Sequence, residues 1–286
     1  MNVRPPSEFS IATTHGRTIR ANLQFAVGGG RSFLTHQHVP YPFHLTRPFY
    51  LDRERPDCAT VYLQSVSGGL YRADDLDITI STSEGAAAHV TTQAATVVHD
   101  TQSDPVRQRV SLRVSPGSLL VYTPDPIVLF PSADIVSETT IEIAADARAI
   151  LCEGQTWFDP LAQDRDFGIV ETSVLVRGLD GTLLAADRSI LPGRALKQRY
   201  SPLVGYRAVG NAFLLGEMSA GLDPSDVERD LHALGCLSGI SRLPGANGLI
   251  VRLLGPDGGT LARGLGLVFR AGFRAMTGLD PAPRRK

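Results

Sequence analysis

Three groups of residues have the types and spacing that metal or acid–base chemistry requires. His36 and His38 lie two apart, so on a strand both imidazoles face one way, and His44 follows in the run His36-Gln37-His38-Val39-Pro40-Tyr41-Pro42-Phe43-His44. Imidazole pairs suit a divalent transition metal such as Ni²⁺, but a durable site needs three or more donors with fixed geometry. The plainer reading is of surface histidines on a segment rich in proline and aromatics. Asp74, Asp75 and Asp77 form the second group. Paired carboxylates at a defined separation hydrolyse glycosides, which makes a carbohydrate-active β-solenoid enzyme the alternative reading. Acids clustered just before a strand are more often solvated or capping a turn. The third group is the strip Thr91-Thr92-Gln93-Ala94-Ala95-Thr96, small and hydroxylated between two apolar stretches. Such side chains let another backbone approach and offer hydrogen bonds. The strip reads either as a strand edge rich in threonine for its β propensity, or as the lining of a polar passage or docking surface.

Other chemistries have no residues to carry them. Gly28-Gly29-Gly30-Arg31-Ser32 lacks the lysine and spacing of a phosphate-binding loop and reads as a turn. No Gly-x-Ser-x-Gly elbow and no His-Glu-x-x-His occurs. Cys58, Cys152 and Cys236 are widely spaced and odd in number, so neither a disulfide framework nor a thiolate metal site is expected. The net charge of −1 gives no electrostatic footprint for nucleic acid.

The elements that position these groups are mostly strands. Leu76, Ile78 and Ile80 alternate with Asp77 and Thr79, and Val61–Val66 is strand-like before Ser67-Gly68-Gly69 breaks it. Three stretches repeat one pattern: Leu76–Val98, Val110–Phe130 and Ile141–Phe158. Each opens on alternating apolar residues and turns at a small or polar pair. Each then resumes with apolar residues and reaches a polar trio: Thr91-Thr92-Gln93, Thr123-Pro124-Asp125 and Cys152-Glu153-Gly154. The turn residues Gly85, Gly117 and Asp146 recur after 32 and then 29 positions, and a shorter echo runs through Val174–Val176, Asp180-Gly181 and Leu183–Ala185. A unit of two strands and a turn cannot bury its apolar face alone, and stacking solves that. The fold expected is mainly β: stacked strand pairs in a two-layer, solenoid-like structure with about two α-helices, a single domain over 1–286.

The first helix is expected near 223–235, with Asp223 as N-cap, Pro224 at the first helical position and Gly235 as the stop. The second is expected near 261–277, with Leu261, Leu265, Val268, Phe269 and Met276 on one side and Arg263, Arg270 and Arg274 on the other. Its three glycines each cost up to about 1 kcal/mol, so packing must hold it. An arginine-faced helix of this kind also fits a lipid surface, and binding to a membrane surface is the reading weighed against packing on the β core. The tail from Pro281 to Lys286 is expected to fray. Met1–Ser10 has no apolar leader core, and no run reaches the roughly 18 apolar residues of a membrane span, so the expected location is cytoplasmic with no membrane.

Several segments together resemble one family. Thr46-Arg47-Pro48-Phe49-Tyr50, Ser67-Gly68-Gly69-Leu70 with Asp74-Asp75-Leu76, and above all Thr91–Thr96 are similar in order and spacing to the urease accessory proteins UreD, also called UreH. Pro126–Phe130, Glu153-Gly154 and Leu249–Leu254 resemble later family positions. The sequence departs from the family pattern at Val97-Val98-His99, where a basic residue and an aromatic commonly stand, and over Trp157–Gly168. The resemblance implies a non-catalytic, mainly β assembly factor that binds the urease apoprotein and UreF, with UreG reached through UreF. It implies nickel as cargo in transit and no tightly bound cofactor. Thr91, Thr92, Gln93, Thr96 and Glu153 are then the candidate partner-binding or passage-lining residues, and His36 and His38 the candidates for transient nickel contact.

Overall fold

The computed structural model describes residues 16–284 apart from 199 and 220, so Met1–Ser10 lies outside the described residues. Its elements are β1 (Thr18–Gly28), β2 (Arg31–His38), β3 (Phe43–Leu45), β4 (Ala59–Ser65), β5 (Asp75–Thr82), β6 (Ala87–Thr91), β7 (Val97–Val98), β8 (Val106–Val114), β9 (Leu119–Thr123), β10 (Ile127–Leu129), β11 (Ile135–Ile143) and β12 (Arg148–Trp157). There follow β13 (Ile169–Gly178), β14 (Leu183–Pro192), β15 (Ala208–Leu215), α1 (Pro224–Ala233), β16 (Leu237–Arg242), β17 (Gly248–Gly255) and α2 (Gly258–Thr277).

The expected stacking is present. One sheet runs β14-β13-β11-β8-β5-β1-β2 and the other β16-β17-β15-β12-β9-β6-β4-β3. Within the first, β5, β8, β11 and β13 are parallel; within the second, β4, β6, β9 and β12 are parallel. Successive coils β5–β6–β7, β8–β9–β10 and β11–β12 lie over one another. The short strands β7 and β10 and the end of β12 make a third side. Ile78 pairs with Val110 and Val110 with Thr139, steps of 32 and 29 residues. These are the spacings of the turns, so the turn period carried the register. The fourth echo differs: β13 stacks on β11, but β14 folds back antiparallel. The turn at Asp180-Gly181 is tight, with the Thr182 amide donating to Asp180 Oδ1 at 3.0 Å, so the chain makes a hairpin there and the coil series stops.

Two apolar clusters fill the space between the sheets, one around Leu23, Ile80, Leu112, Ile141 and Leu151, the other around Leu76, Val106, Leu129, Ile135 and Val170. A third lies outside the second sheet, where α2 covers β12, β15 and β17. Both helices occur where expected. Asp223 Oδ1 accepts from the Ser225 amide at 2.8 Å, and Asp257 caps α2 by accepting from the Thr260 amide at 2.7 Å.

Leu261, Leu265, Val268, Phe269 and Met276 of α2 are buried against the sheet. The apolar side of the helix is therefore already covered, which removes the ground for a lipid-bound helix, and among the described residues no helix is long and apolar enough to cross a membrane. Close approach is possible because Gly154 of β12 pairs with Gly210 of β15 directly beneath Leu261. A Cβ on either would stand 2.9 Å from a Leu261 methyl. The expected fraying of the tail is corrected over residues 281–284. The Arg284 side chain is 8% exposed and paired to Asp52. Arg285 and Lys286 lie outside the described residues.

Candidate functional site

The inward alternation of the first sheet is interrupted by polar residues. Along β11 the inward positions read Ile135, Ser137, Thr139, Ile141 and Ile143, with Ser137 and Thr139 buried. Gln108 of β8 pairs with Ser137, and Ser137 pairs with Thr172 of β13. A polar layer thus crosses three strands between the two apolar clusters. Such groups persist in a core only where partners satisfy them.

The opposite wall comes from the corners after β6 and β9 and from β12. Thr92 Oγ1 donates to Asp125 Oδ2 at 3.0 Å and accepts from the Asp125 amide at 2.8 Å, joining two coils. Thr139 Oγ1 donates to Glu153 Oε2 at 3.4 Å, joining the two sheets. The seam encloses a narrow cavity of about 50 Å³, lined by Ser65, Thr92, Thr96, Gln108, Asp125, Ser137, Thr139, Glu153 and Gln155 among others. Ser65 Oγ is buried with no hydrogen-bond partner among the described residues, so the seam keeps an unspent acceptor and donor. Glu153 retains partial access through the cavity. Loss of hydration nonetheless pushes its carboxyl up to about 7; the Thr139 hydrogen bond works downward and the Asp187 charge upward. The seam adjoins two surface hollows. One, of about 470 Å³, shares Ser65 and Thr96 with the cavity; the other, of about 430 Å³ beneath α2 and the tail, shares Pro124 and Asp125.

The model of the family described as UreD urease accessory protein matches residues 17–286. The chain belongs to that family. It is 43% identical to urease accessory protein UreD 1 of Methylorubrum populi, over 99% of this chain and 97% of that protein. It is 44% identical to urease accessory protein UreD 1 of Methylorubrum extorquens, over 95% and 92%. With urease accessory protein UreD 1 of a Bradyrhizobium species the figures are 37%, 98% and 99%. These relatives are accessory proteins by name, and the role of a UreD-family chain is that of an accessory, not of a catalyst.

Of the residues marked in the sequence, this UreD-family chain brings Thr92, Thr96 and Glu153 together at the seam. Thr91 and Gln93 stand apart. Thr91 Oγ1 donates to the Thr123 carbonyl at 2.6 Å and lines the hollow under α2, while Gln93 is exposed and contacts Gln64. Thr91 ends β6, and the rest of the strip is a loop at the corner. His36 and His38 share the exposed side of the edge strand β2, and His44 is exposed on β3. Among the described residues no three His, Cys, Asp or Glu side chains are grouped to hold a metal.

The aspartates do not form a cleft. Asp74 is buried, pairs with Arg17 and accepts from the Tyr71 amide at 2.8 Å; Asp75 pairs with Arg109 at 2.5 Å and Asp77 with Arg20 at 2.8 Å. Burial drives Asp74 upward, but Arg17 and the two amides outweigh it and hold the carboxyl below its ordinary range. Three carboxylates spent on three arginines leave no acid and base facing a shared substrate, which removes the carbohydrate-enzyme alternative.

Sequence reasoning missed Gln108, Ser137, Thr139 and Thr172. Their signal was available: each sits in the apolar phase of a period-two strand, as in Val106-x-Gln108-x-Val110 and Ile135-x-Ser137-x-Thr139-x-Ile141. Asp52, His89 and Arg284 were also missed. Nothing in the spacing joins residues so far apart in the chain.

Proposed function

We propose that this UreD-family chain acts as a single β domain over 1–286, a cytoplasmic assembly factor that holds the urease apoprotein and UreF, reaches UreG through UreF, and lets nickel pass into the urease metallocentre. The polar seam is the observation that supports this reading. A route for an ion through a β core needs oxygen donors where apolar side chains would otherwise meet, and Thr92, Thr96, Asp125, Thr139 and Glu153 supply them. With its carboxyl pushed up to about 7, Glu153 exchanges a proton for a passing cation near neutral pH. Weak, sequential contacts suit transfer, since a tight cage would retain the ion. The exposed pair His36 and His38 would make transient contact with nickel at the surface, and Thr91 and Gln93 belong to the faces offered to partners.

The test is to produce cognate urease with UreF and UreG, with and without this chain, and to measure nickel in the purified urease. Nickel content should fall severalfold without it; equal loading in its absence would remove the reading.

A further inference from the structure

Beyond Gly278, which ends α2 in the left-handed conformation, the chain is held at two places. The first is an ion pair between Arg274 and Asp280, exposed on both sides and therefore weak. The second is buried and joins residues 232 positions apart. Arg284 clasps Asp52 with two parallel bonds, Nη1 to Oδ1 at 3.1 Å and Nη2 to Oδ2 at 2.9 Å, and the Ala282 amide donates to Oδ1 at 2.6 Å. The Asp52 and Arg284 side chains are 2% and 8% exposed. This buried hold decides whether the tail is docked.

The guanidinium makes one more bond, and that bond depends on a proton. Arg284 Nε donates to Nδ1 of His89, which is fully buried, at 2.9 Å. Arginine has no acceptor, so Nδ1 carries a lone pair and the proton of the neutral ring lies on Nε2, 2.7 Å from Thr123 Oγ1. A proton on Nδ1 would break the bond and set a second cation against the guanidinium. Imidazole is the side chain whose charge changes between pH 5 and 8. The charged groups around the ring are Arg284 from the tail and, on the same guanidinium, Asp52 from the segment before β4. The elements packed against it add uncharged neighbours: Thr60 of β4, Thr123 of β9 and Phe269 of α2, whose ring centre is 5.0 Å away. Cys58 and Tyr62 border the cluster, and burial raises both, the thiol to about 12, so neither is charged near neutral pH.

We propose that Arg284 and a proton on His89 compete for the one buried carboxylate of Asp52, so that the tail is a strap, docked while His89 is neutral and released when it is protonated. In the docked state the guanidinium balances Asp52. In the released state the imidazolium, with its proton drawn from solvent, balances the same carboxylate. Each state leaves one cation with one buried anion, whereas a docked arginine beside a protonated His89 leaves one cation unpaired. The sign of the response follows. Docking is complete above the pH at which His89 takes its proton with the strap released, and is lost as pH falls through the point at which the docked ring takes it. Release withdraws Ala282, Pro283 and Arg284 from the wall of the hollow of about 430 Å³ and uncovers it beside Phe269. The inference stands apart from the nickel-transfer reading.

The test follows deuterium exchange of the full-length chain over residues 279–284 between pH 7.5 and pH 5, corrected for the intrinsic pH dependence of exchange. In the wild type the corrected rate should rise at least tenfold while β9 and β12 stay protected. His89→Gln gives Arg284 Nε a neutral acceptor and Thr123 a donor, with no proton to gain, so its strap should stay protected over the whole range. A wild-type strap that stays equally protected, one that opens only together with β9 and β12, or the same rise in His89→Gln would overturn the proposal. Should His89→Gln not fold, ring-nitrogen NMR of the wild type decides. The His89 ring should carry its proton on Nε2 at pH 7.5, and the midpoint of imidazolium formation should match that of strap release within half a pH unit; midpoints further apart would overturn it.

Discussion

Thr139 of β11 reaches across the interior to Glu153 of β12, its hydroxyl 3.4 Å from Oε2, and so ties the two sheets through polar atoms at the place where apolar packing is interrupted. Burial of the Glu153 carboxyl outweighs that hydrogen bond and fixes the direction of the pH response. The folded Glu153 carboxyl is raised to about 7 from an ordinary 4.5. A raised acid is protonated at no cost below its unfolded pKa, and the penalty for ionising it grows as pH rises from there to the folded value. Glu153→Gln should therefore match the wild type near pH 4.5 and be the more stable above pH 7. The gain is at most about 3 kcal/mol and is reduced by whatever water the cavity admits. Urea denaturation of both proteins across that range checks it; a difference that does not change with pH would contradict the burial of this carboxyl.

Asp74 behaves in the opposite sense. Its carboxyl is held low by Arg17 and two backbone amides. The stability it adds is present above its unfolded pKa and lost as pH falls through the folded one. Asp74→Asn should cost about 1–3 kcal/mol at pH 7 and less in acid, because Arg17 remains partly exposed. Asp77→Asn, at an exposed pair, should cost under about 1 kcal/mol. Both variants should support urease loading once their folded fractions are matched. A loss specific to either carboxylate would point back to acid–base chemistry.

The contact between α2 and the sheet predicts the outcome at Gly210. A valine there gains strand propensity of up to about 1 kcal/mol. Its Cβ would nevertheless meet Leu261 at 2.9 Å and the Glu153 carbonyl at 3.1 Å, and overpacking of this kind costs about 1–3 kcal/mol. Gly210→Val should lower the midpoint of thermal unfolding by several degrees; an unchanged midpoint would mean that α2 does not sit on this pair of glycines.

Much of this was legible in the chain because it was local. Alternation placed β5, β8 and β11, the turns at Gly85, Gly117 and Asp146 gave the register, and Asp223-Pro224 and Leu261–Met276 gave the helices. Thr92 and Thr96 were found in the hydroxylated strip Thr91–Thr96, and Glu153 among the positions that resemble the family. Gln108, Ser137 and Thr139 were missed because a polar residue in one strand is ordinary; only stacking shows that three strands are interrupted at the same level. The docked tail was missed because an ion pair between Asp52 and Arg284 leaves no pattern in either neighbourhood, and a Pro-rich terminus reads as frayed.

The measurement closest to the central claim fills the seam without breaking the fold. Gln108→Leu with Thr139→Val replaces polar groups by apolar ones of similar size, at a cost of about 1–3 kcal/mol for the hydroxyl that Glu153 loses. The double variant should keep its thermal midpoint within a few degrees and still co-purify with UreF and urease, while nickel per urease active site falls at least fivefold. Full nickel loading by a folded, partner-bound double variant would show that the ion does not travel through this seam.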